Sequence, residues 1–521
     1  LKRKVFMLLY DIDVNKGGIT RVMLNRSKLF NDRGWDVDLV TLDYKTNYDE
    51  ISANLRNVGR LAEEVNILNV YDYYRDKNTV TGLKDEAIEY YNELSQINEE
   101  GYQVQDDYEE KRNARYFVDG VYCKYKKWTK NGLLKHVDYF NENRSRTLRE
   151  EFAEDGHVCK KTFFDLHTNK VRQELFFTVD GFCFLNRWFN DKEKISNIFL
   201  FDKYSNKVER FKNNQQFHTY WLNELCRSYE EKPFMICDGV GSSTKVMEMD
   251  DKLVNRIYAI HTNHFAAPHE YGSYIKDNHE PLLENLSNVE AVVVLTDKQK
   301  NDIIRQFGDY DNLFVIPHFV SKSDRQAYKQ KNLVTAVSRY HKEKGLDELI
   351  KAFELVKEKI PEARLEIHGD GPDRDRLEGL IEELNLKDSV FLMGYSNSID
   401  EVLGRSTVSA LTSKFEGFSM VIIESLMNKT PVVSYDVSYG PSDIIESGKT
   451  GYVVPNKDKE ELAKKIIKLL KAPIKANVMG ERGHSYVINK YNEDNHFKYW
   501  LNLFNHLVQK ETQPVESNGI K

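Results

Sequence analysis

Between about residues 105 and 212 the chain repeats one local pattern. Runs rich in Tyr, Phe and Trp, such as "YFVDGVYCKYKKW" and "ELFFTVDGFCFLNRWF", are broken by Asp119-Gly120, Asn131-Gly132, Asp155-Gly156 and Asp180-Gly181. Asp-Gly and Asn-Gly accept the positive φ that a tight hairpin turn demands, and aromatic side chains favour strands. The pattern therefore predicts an antiparallel meander with at least four hairpins and no strict repeat period. Such a sheet cannot belong to the same layer as its flanks, which follow a different rule.

On the N-terminal side, residues 4–10 ("KVFMLLY") read as a buried strand, followed by the loop "DIDVNKGGIT", a helix from about Thr20 to Arg33 and the strand "WDVDLVTLDY". This is a βαβ unit. After the meander, "PFMICDGVGSS", "RIYAIHTNH", "AVVVLTD" and "LFVIPHF" are short apolar runs ending in polar residues, as parallel strands buried on both faces should be. The polar stretch 321–331 reads as a linker. A second series follows it: "NLVTAVSRY", "ARLEIHGDG", "SVFLMGY", "VSALTS", "TPVVSYD" and "GYVVP", with Leu346, Leu349, Ile350, Phe353 and Val356 at helical spacing between the first two. At 521 residues the chain exceeds what one hydrophobic core organises. The expected fold class is α/β, two Rossmann-like domains facing a cleft with an inserted antiparallel β-sheet domain. The expected boundaries are 1–75 and 216–320 for the two parts of the N-terminal domain and 76–215 for the insert. The C-terminal domain takes 321–490, and 491–521 a helix packing back on the N-terminal domain plus a tail.

Composition narrows the function. With 75 Lys plus Arg against 82 Asp plus Glu, the net charge of −7 argues against general nucleic-acid binding. Cys123, Cys159, Cys183, Cys226 and Cys237 are scattered, with no C-x-x-C pair, so neither a zinc site nor a disulfide framework is expected and a reducing cytoplasm fits. No apolar run reaches the roughly 18 residues of a membrane span. The opening "LKRKVFMLLYDID" has too short an apolar run, followed at once by Asp11 and Asp13, to read as a signal peptide.

Candidate chemistry gathers just after the strands of the second series. Arg339 and Lys344, the latter before Gly345, follow "LVTAVS"; Gly369, Asp370 and Gly371 follow "LEIH"; Gly394-Tyr395 follow "VFLM". Glu416, Gly417, Phe418 and Ser419 follow "VSALTS" and open a helix containing Glu424, separated from Glu416 by seven mostly apolar residues. A helix N-terminus with small residues binds phosphate through free N–H groups and its dipole, and Arg and Lys complete a diphosphate site. Singly, each element has an ordinary reading: Arg-x4-Lys as solvated surface, Gly-x-Gly as a tight turn, Glu416 as a helix cap. Their common position at carboxyl ends of strands, in this order, points to one site.

The ordered set "SRYHKEKG", "HGDGP", "FEGFSMVIIESL" resembles the C-terminal domain of retaining nucleotide-sugar transferases of the GT-B fold, over about 331–490. Ser419, where that broad family usually has Gly, and Lys429 depart from the pattern. "DIDVNKGGIT", "MICDGVGS", "IHTNHF" and "YGPSDIIESGKTGY" extend the likeness to nearly the whole chain and to the TarM/TagE group of wall teichoic acid α-glycosyltransferases. The resemblance implies that Arg339 and Lys344 hold the UDP diphosphate and that Glu424 binds the ribose hydroxyls. It implies that Glu416 contacts the donor sugar, with Gly369, Tyr395, Gly417, Phe418 and Ser419 in the donor site. Gly17 and Gly18 would approach the phosphates, and His261 would face the sugar.

It also implies a UDP-sugar donor with no cofactor and no metal; the Asp-x-Asp triplets at 11/13, 36/38, 309/311 and 373/375 are what an acid-rich chain yields by chance. The expected reaction is transfer of glucose or N-acetylglucosamine to the polyol-phosphate repeats of wall teichoic acid, leaning to a poly(glycerol-phosphate) α-glucosyltransferase. The runner-up is a poly(ribitol-phosphate) α-N-acetylglucosaminyltransferase. A protein O-GlcNAc transferase of a Ser-rich adhesin and a non-catalytic acceptor-binding GT-B subunit are further alternatives. Intact Arg339, Lys344, Glu416 and Glu424 count against the last. The expected partners are a polyol-phosphate polymer, met by "KYKKWTK" (124–130), and two further copies in a homotrimer joined through the insert. The expected location is the cytoplasm, with the inner membrane face compatible.

Overall fold

The structure is a computed structural model and describes residues 3–14, 17–80, 82–321 and 328–512. Most of the expected linker, at 322–327, lies outside the described residues, as do Asn15 and Lys16 of the first loop and the tail from 513. The chain divides into two compact units. One holds the chain up to Met235 together with Thr244–Val254; the other holds Ile236–Ser243 and everything from Asn255 onward.

In the first unit, strands Val5–Leu8, Val37–Thr41 and Asn66–Asn69 pair in parallel, the first two fully buried, with helices Ile19–Asp32 and Tyr48–Asn57 as crossovers. A ten-stranded antiparallel sheet runs from Gln103–Asp106 to Val208–Phe211 with every strand beside its sequence neighbour. The four Gly dipeptides fall at its turns, each glycine at positive φ. Three of these turns close with the same two backbone bonds, for example Thr178 N–H to Phe182 O and Gly181 N–H to Thr178 O. The turns at Asn141–Ser145 and Asn190–Lys194 make those same bonds with Arg144 and Glu193 in the left-handed position.

One sequence expectation fails in part inside this sheet, where Lys130 of the run stays exposed but two other lysines do not. Lys124 and Lys126 of "KYKKWTK" both pair with Glu99, and Lys126 is completely buried among Leu94, Tyr116 and the backbone of 94–96. They clamp helix Asp85–Ser95 onto the sheet and are closed to a polymer. Period-2 alternation turned these two lysines toward the core, where a carboxylate meets them.

In the second unit, strands Asn255–Ala259, Ala291–Val294 and Leu313–Val315 pair in parallel. A separate six-stranded parallel sheet has the order Val390–Gly394, Arg364–His368, Leu333–Val337, Val408–Leu411, Val432–Tyr435, Gly451–Val454. Numbered by sequence this is 3-2-1-4-5-6, the doubly wound order. Its core joins strand residues such as Val334, Leu365 and Val433 to Leu349, Ile350 and Phe353 of helix Leu346–Lys359. Helix Glu493–Thr512 packs back on residues 255–319, through His496 to Pro317 O, Lys510 to Asp311 and Asn255 to Glu511.

Candidate active site

In a 3-2-1-4-5-6 sheet the crevice opens where the order reverses, between the carboxyl ends of strands 1 and 4. The ladders show it opening here. Leu333–Val337 stays paired with Arg364–His368 as far as Val337–His368, but with Val408–Leu411 only as far as Thr335–Ser409. The loops beyond these ends, 338–345 and 412–419, carry most of the expected chemistry.

Lys344 and Glu416 meet across the crevice. The Lys344 ammonium donates to Glu416 Oε1 at 2.7 Å, and Ser413 Oγ donates to the same oxygen at 2.6 Å. Both side chains are largely withdrawn from water, at 19% and 13% exposure. The two loops are laced further by Lys414 N–H to Glu343 O and Thr412 Oγ1 to Lys344 O. Gly345 opens the following helix in the left-handed region, with no room for a side chain against Thr412 O. Arg339 differs: its side chain is 73% exposed and pairs with Glu343 at 2.8 Å.

Tyr340, quoted in the motif but given no role by sequence reasoning, organises the crevice floor. It is fully buried; its hydroxyl donates to Ile367 O at 2.7 Å and accepts from Gly394 N–H at 3.2 Å, and its backbone bonds Asp370 and Asp373. Gly369 and Gly371 lie against the carbonyls of Ser338 and Tyr340, where a Cβ would stand 1.8 and 2.4 Å away. These glycines bring the loops after strands 1 and 2 together. Tyr395, next to Gly394, is exposed.

Glu416-Gly417-Phe418 is pinned from both sides. Glu416 N–H donates to Ser438 O, and Tyr439 N–H to Glu416 O. Phe418 is buried in a cluster with Leu411, Ile422 and Tyr491, so it anchors the loop. Ser419 sits at φ 71° at the start of helix Met420–Met427. A left-handed residue is what glycine supplies at no steric cost, which accounts for the Gly usual there. Among the described residues the buried Ser419 hydroxyl has no hydrogen-bond partner. Glu424, one turn into that helix, is partly buried.

Facing these loops are residues 261–276 of the same unit. Gly417 packs directly on the His261 carbonyl. His261 is buried, with Nε2 2.7 Å from Asp238 Oδ1 and its ring stacked on His318 at 5.2 Å. Asp238 and His318, each just past the end of an apolar strand, were not singled out from sequence, though that position was the signal. Asn263 is buried and its side-chain amide bridges His269 O and Ser438 O. Phe415 is held between the His269 ring at 4.0 Å and the Lys276 ammonium at 4.4 Å, and that ammonium donates to Asn263 O. Burial pushes the Lys276 pKa down, while Glu343 pulls it the other way.

Gly17 and Gly18 belong to the other unit; both are exposed, and Gly18 caps helix Ile19–Asp32 at positive φ. Among the described residues no three His, Cys, Asp or Glu side chains are grouped to hold a metal ion, and no helix is long and apolar enough to cross a membrane.

The geometry gathers a cation, a carboxylate and a helix start at the crevice, and comparison with known proteins supplies the family. The family "Glycosyl transferases group 1" matches residues 320–486. A poly(ribitol-phosphate) α-N-acetylglucosaminyltransferase of Staphylococcus aureus is 33% identical over 507 residues, covering 96% of this chain and all of that protein. The chain belongs to the GT-B wall teichoic acid α-glycosyltransferases. It is thus a hexosyltransferase, as its motifs implied.

A poly(glycerol-phosphate) α-glucosyltransferase of Bacillus subtilis is 26% identical, over 95% of this chain and 74% of its own length. A crystal structure of S. aureus TarM with fondaparinux, α-GlcNAc-glycerol and UDP superposes with a TM-score of 0.86 at 31% identity, over 96% of this chain and all of that one. The likeness therefore favours the ribitol-phosphate member over the glycerol-phosphate glucosyl reading to which the sequence analysis leaned. The fold class, with its parallel sheets and antiparallel insert, agrees with that reading of the sequence.

Proposed function

We propose that this transferase moves N-acetylglucosamine from UDP-GlcNAc, with retention of the α configuration, to poly(ribitol phosphate). The observation that carries the reaction site is the Lys344–Glu416 pair at the point where the strand order reverses. The choice of donor and acceptor rests on the full-length similarity to the ribitol-phosphate enzyme.

In this reading the bond from the anomeric carbon to the diphosphate breaks while negative charge grows on UDP. Lys344 keeps two ammonium hydrogens beyond the one given to Glu416, and with Arg339 it meets that charge. The free N–H groups at the start of helix Met420–Met427 and the unpartnered Ser419 hydroxyl add neutral donors. Donors fixed beforehand stabilise developing charge without reorganising. Both bonds to Glu416 fall on Oε1, leaving Oε2 to accept from the donor sugar's hydroxyls. Glu424, one turn down the helix, would take the ribose. His261, oriented by Asp238, would present its ring to the sugar side of the crevice.

The test is a matrix of UDP-GlcNAc and UDP-glucose against poly(ribitol phosphate) and poly(glycerol phosphate). The expected result is the highest kcat/KM for UDP-GlcNAc with the ribitol polymer. A higher value for UDP-glucose with the glycerol polymer overturns the assignment and restores the alternative.

A further inference from the structure

Helix Pro473–Lys490 has two faces that do not match. Its inner face, Ala476, Met479, Gly480, Gly483 and Val487, is buried. It is seated so closely that a Cβ on Gly480 would lie 2.0 Å from Lys429 O. Its outer face should then be polar. Instead Ile474 and Val478, one turn apart, are 80% and 47% exposed, and with Asn477, Glu481, Arg482 and Ser485 they line a shallow surface groove. Proline at the helix's first position, also exposed, leads into Ile474.

The surroundings of this aliphatic stripe are basic on a chain that is acidic as a whole. Lys468, Lys471, Lys475 and Arg482 are exposed and have no carboxylate partner among the described residues. Glu461 is taken by Lys464 and Lys465, and Glu481 by Lys429. Lys471 caps the end of helix Lys459–Leu470, and Lys475 follows Ile474 directly in the next helix. An exposed aliphatic stripe bordered by unneutralised lysines is the composition of a surface that lies on anionic headgroups with its apolar tip in the acyl boundary. A soluble polyanion would use the lysines but gain nothing from Ile474 and Val478. None of these residues belongs to the crevice described above.

We propose that this corner, the end of helix Lys459–Leu470 and the start of helix Pro473–Lys490, docks the enzyme on a lipid bilayer carrying anionic headgroups. The test uses the full-length protein and sedimentation with vesicles of phosphatidylcholine alone or with phosphatidylglycerol. Wild type should bind the phosphatidylglycerol vesicles and leave the neutral ones. Lys471→Gln and Lys475→Gln should each weaken binding about fivefold, and Ile474→Ser with Val478→Ser by about tenfold or more. Transfer to soluble polymer should stay unchanged in all three variants. In Ile474→Trp the indole emission should shift to the blue on adding anionic vesicles. Equal binding to both vesicles, no vesicle binding, or loss on removing lysines but none on removing Ile474 and Val478 overturns the proposal. The last result would mark a site for a soluble polyanion.

Discussion

Adding one methyl group at Gly417 should separate folding from catalysis. The new Cβ would stand 2.1 Å from the His261 carbonyl oxygen, 2.7 Å from its carbon and 2.8 Å from Thr262 Cα. Non-bonded heavy atoms rest near about 3.5 Å, so the backbones must part by more than about 1 Å. All three atoms are main chain, and no side-chain rotation relieves them. On the other side, Glu416 is held by Ser438, Tyr439 and Lys344. The displacement therefore falls on the carboxylate that the proposed mechanism places against the donor sugar.

Overpacking of this kind costs about 1–3 kcal/mol of stability, or a few degrees in Tm for a chain of this length. A misplacement of about 1 Å in a positioned group costs about a hundredfold in rate. Gly417→Ala should fold, retain UDP affinity within about threefold, and lose about two orders of magnitude in kcat. Calorimetry, UDP titration and steady-state transfer measure the three quantities. Gly379→Ala is the control: it lies in helix Arg374–Glu383, where an added Cβ meets nothing within 4 Å among the described residues, so the same change should raise Tm slightly. Wild-type kcat in Gly417→Ala refutes the claim that this contact sets the position of Glu416.

Lys344→Ala and Arg339→Ala should each lower turnover by about a hundredfold. Lys344→Ala should also lower Tm, because it strands the withdrawn Glu416 carboxylate, whereas exposed Arg339 should leave Tm unchanged; equal turnover to wild type in both sinks the diphosphate assignment. Transfer should survive EDTA, and its loss with rescue by a divalent ion would show a metal-dependent reaction. His264 is buried, which holds its pKa down at about 3; the unfolded chain takes up that proton near about 6.5, so stability should fall as pH drops through this window. The cost is about 2 kcal/mol at pH 5 relative to pH 7; His264→Gln should flatten the fall in Tm between pH 7 and 4.5, and an unchanged slope contradicts this. Strands Gln103–Asp106 and Val208–Phe211 border the ten-stranded sheet, and such edges need covering; light scattering at micromolar concentration should find a homotrimer, and a monomer refutes it.

The local rules of the chain were legible wherever one residue type is needed for one backbone state. Buried apolar runs announced both sets of parallel strands, and Gly120, Gly132, Gly156 and Gly181 announced four of the nine strand connections in the insert. Arg144, Asn169, Glu193 and Asn206 occupy the left-handed position in four of the others. Only Asn169 and Asn206 are even of a favoured type there. The same turn bonds form with Arg144 and Glu193 because the paired strands on either side offset a cost of about 1–2 kcal/mol. No pattern in the residues themselves records that.

The motif likewise named Lys344 and Glu416, which the structure brings together, but not that they pair. Arg339, Lys344, Glu416 and Glu424 were readable from spacing and resemblance, because strand ends and helix starts collect ligand-binding groups. That Lys344 is neutralised by Glu416, seventy-two positions away, while Arg339 stands in solvent, depends on where strands 1 and 4 diverge. The buried Lys126 and the floor-building Tyr340 depend equally on what lies opposite them. Sequence alone determined which segments are strands, helices and tight turns, since those follow from short-range sterics and periodicity. Tertiary structure decided which charges are paired, buried or open, because burial and pairing are set by groups distant in sequence.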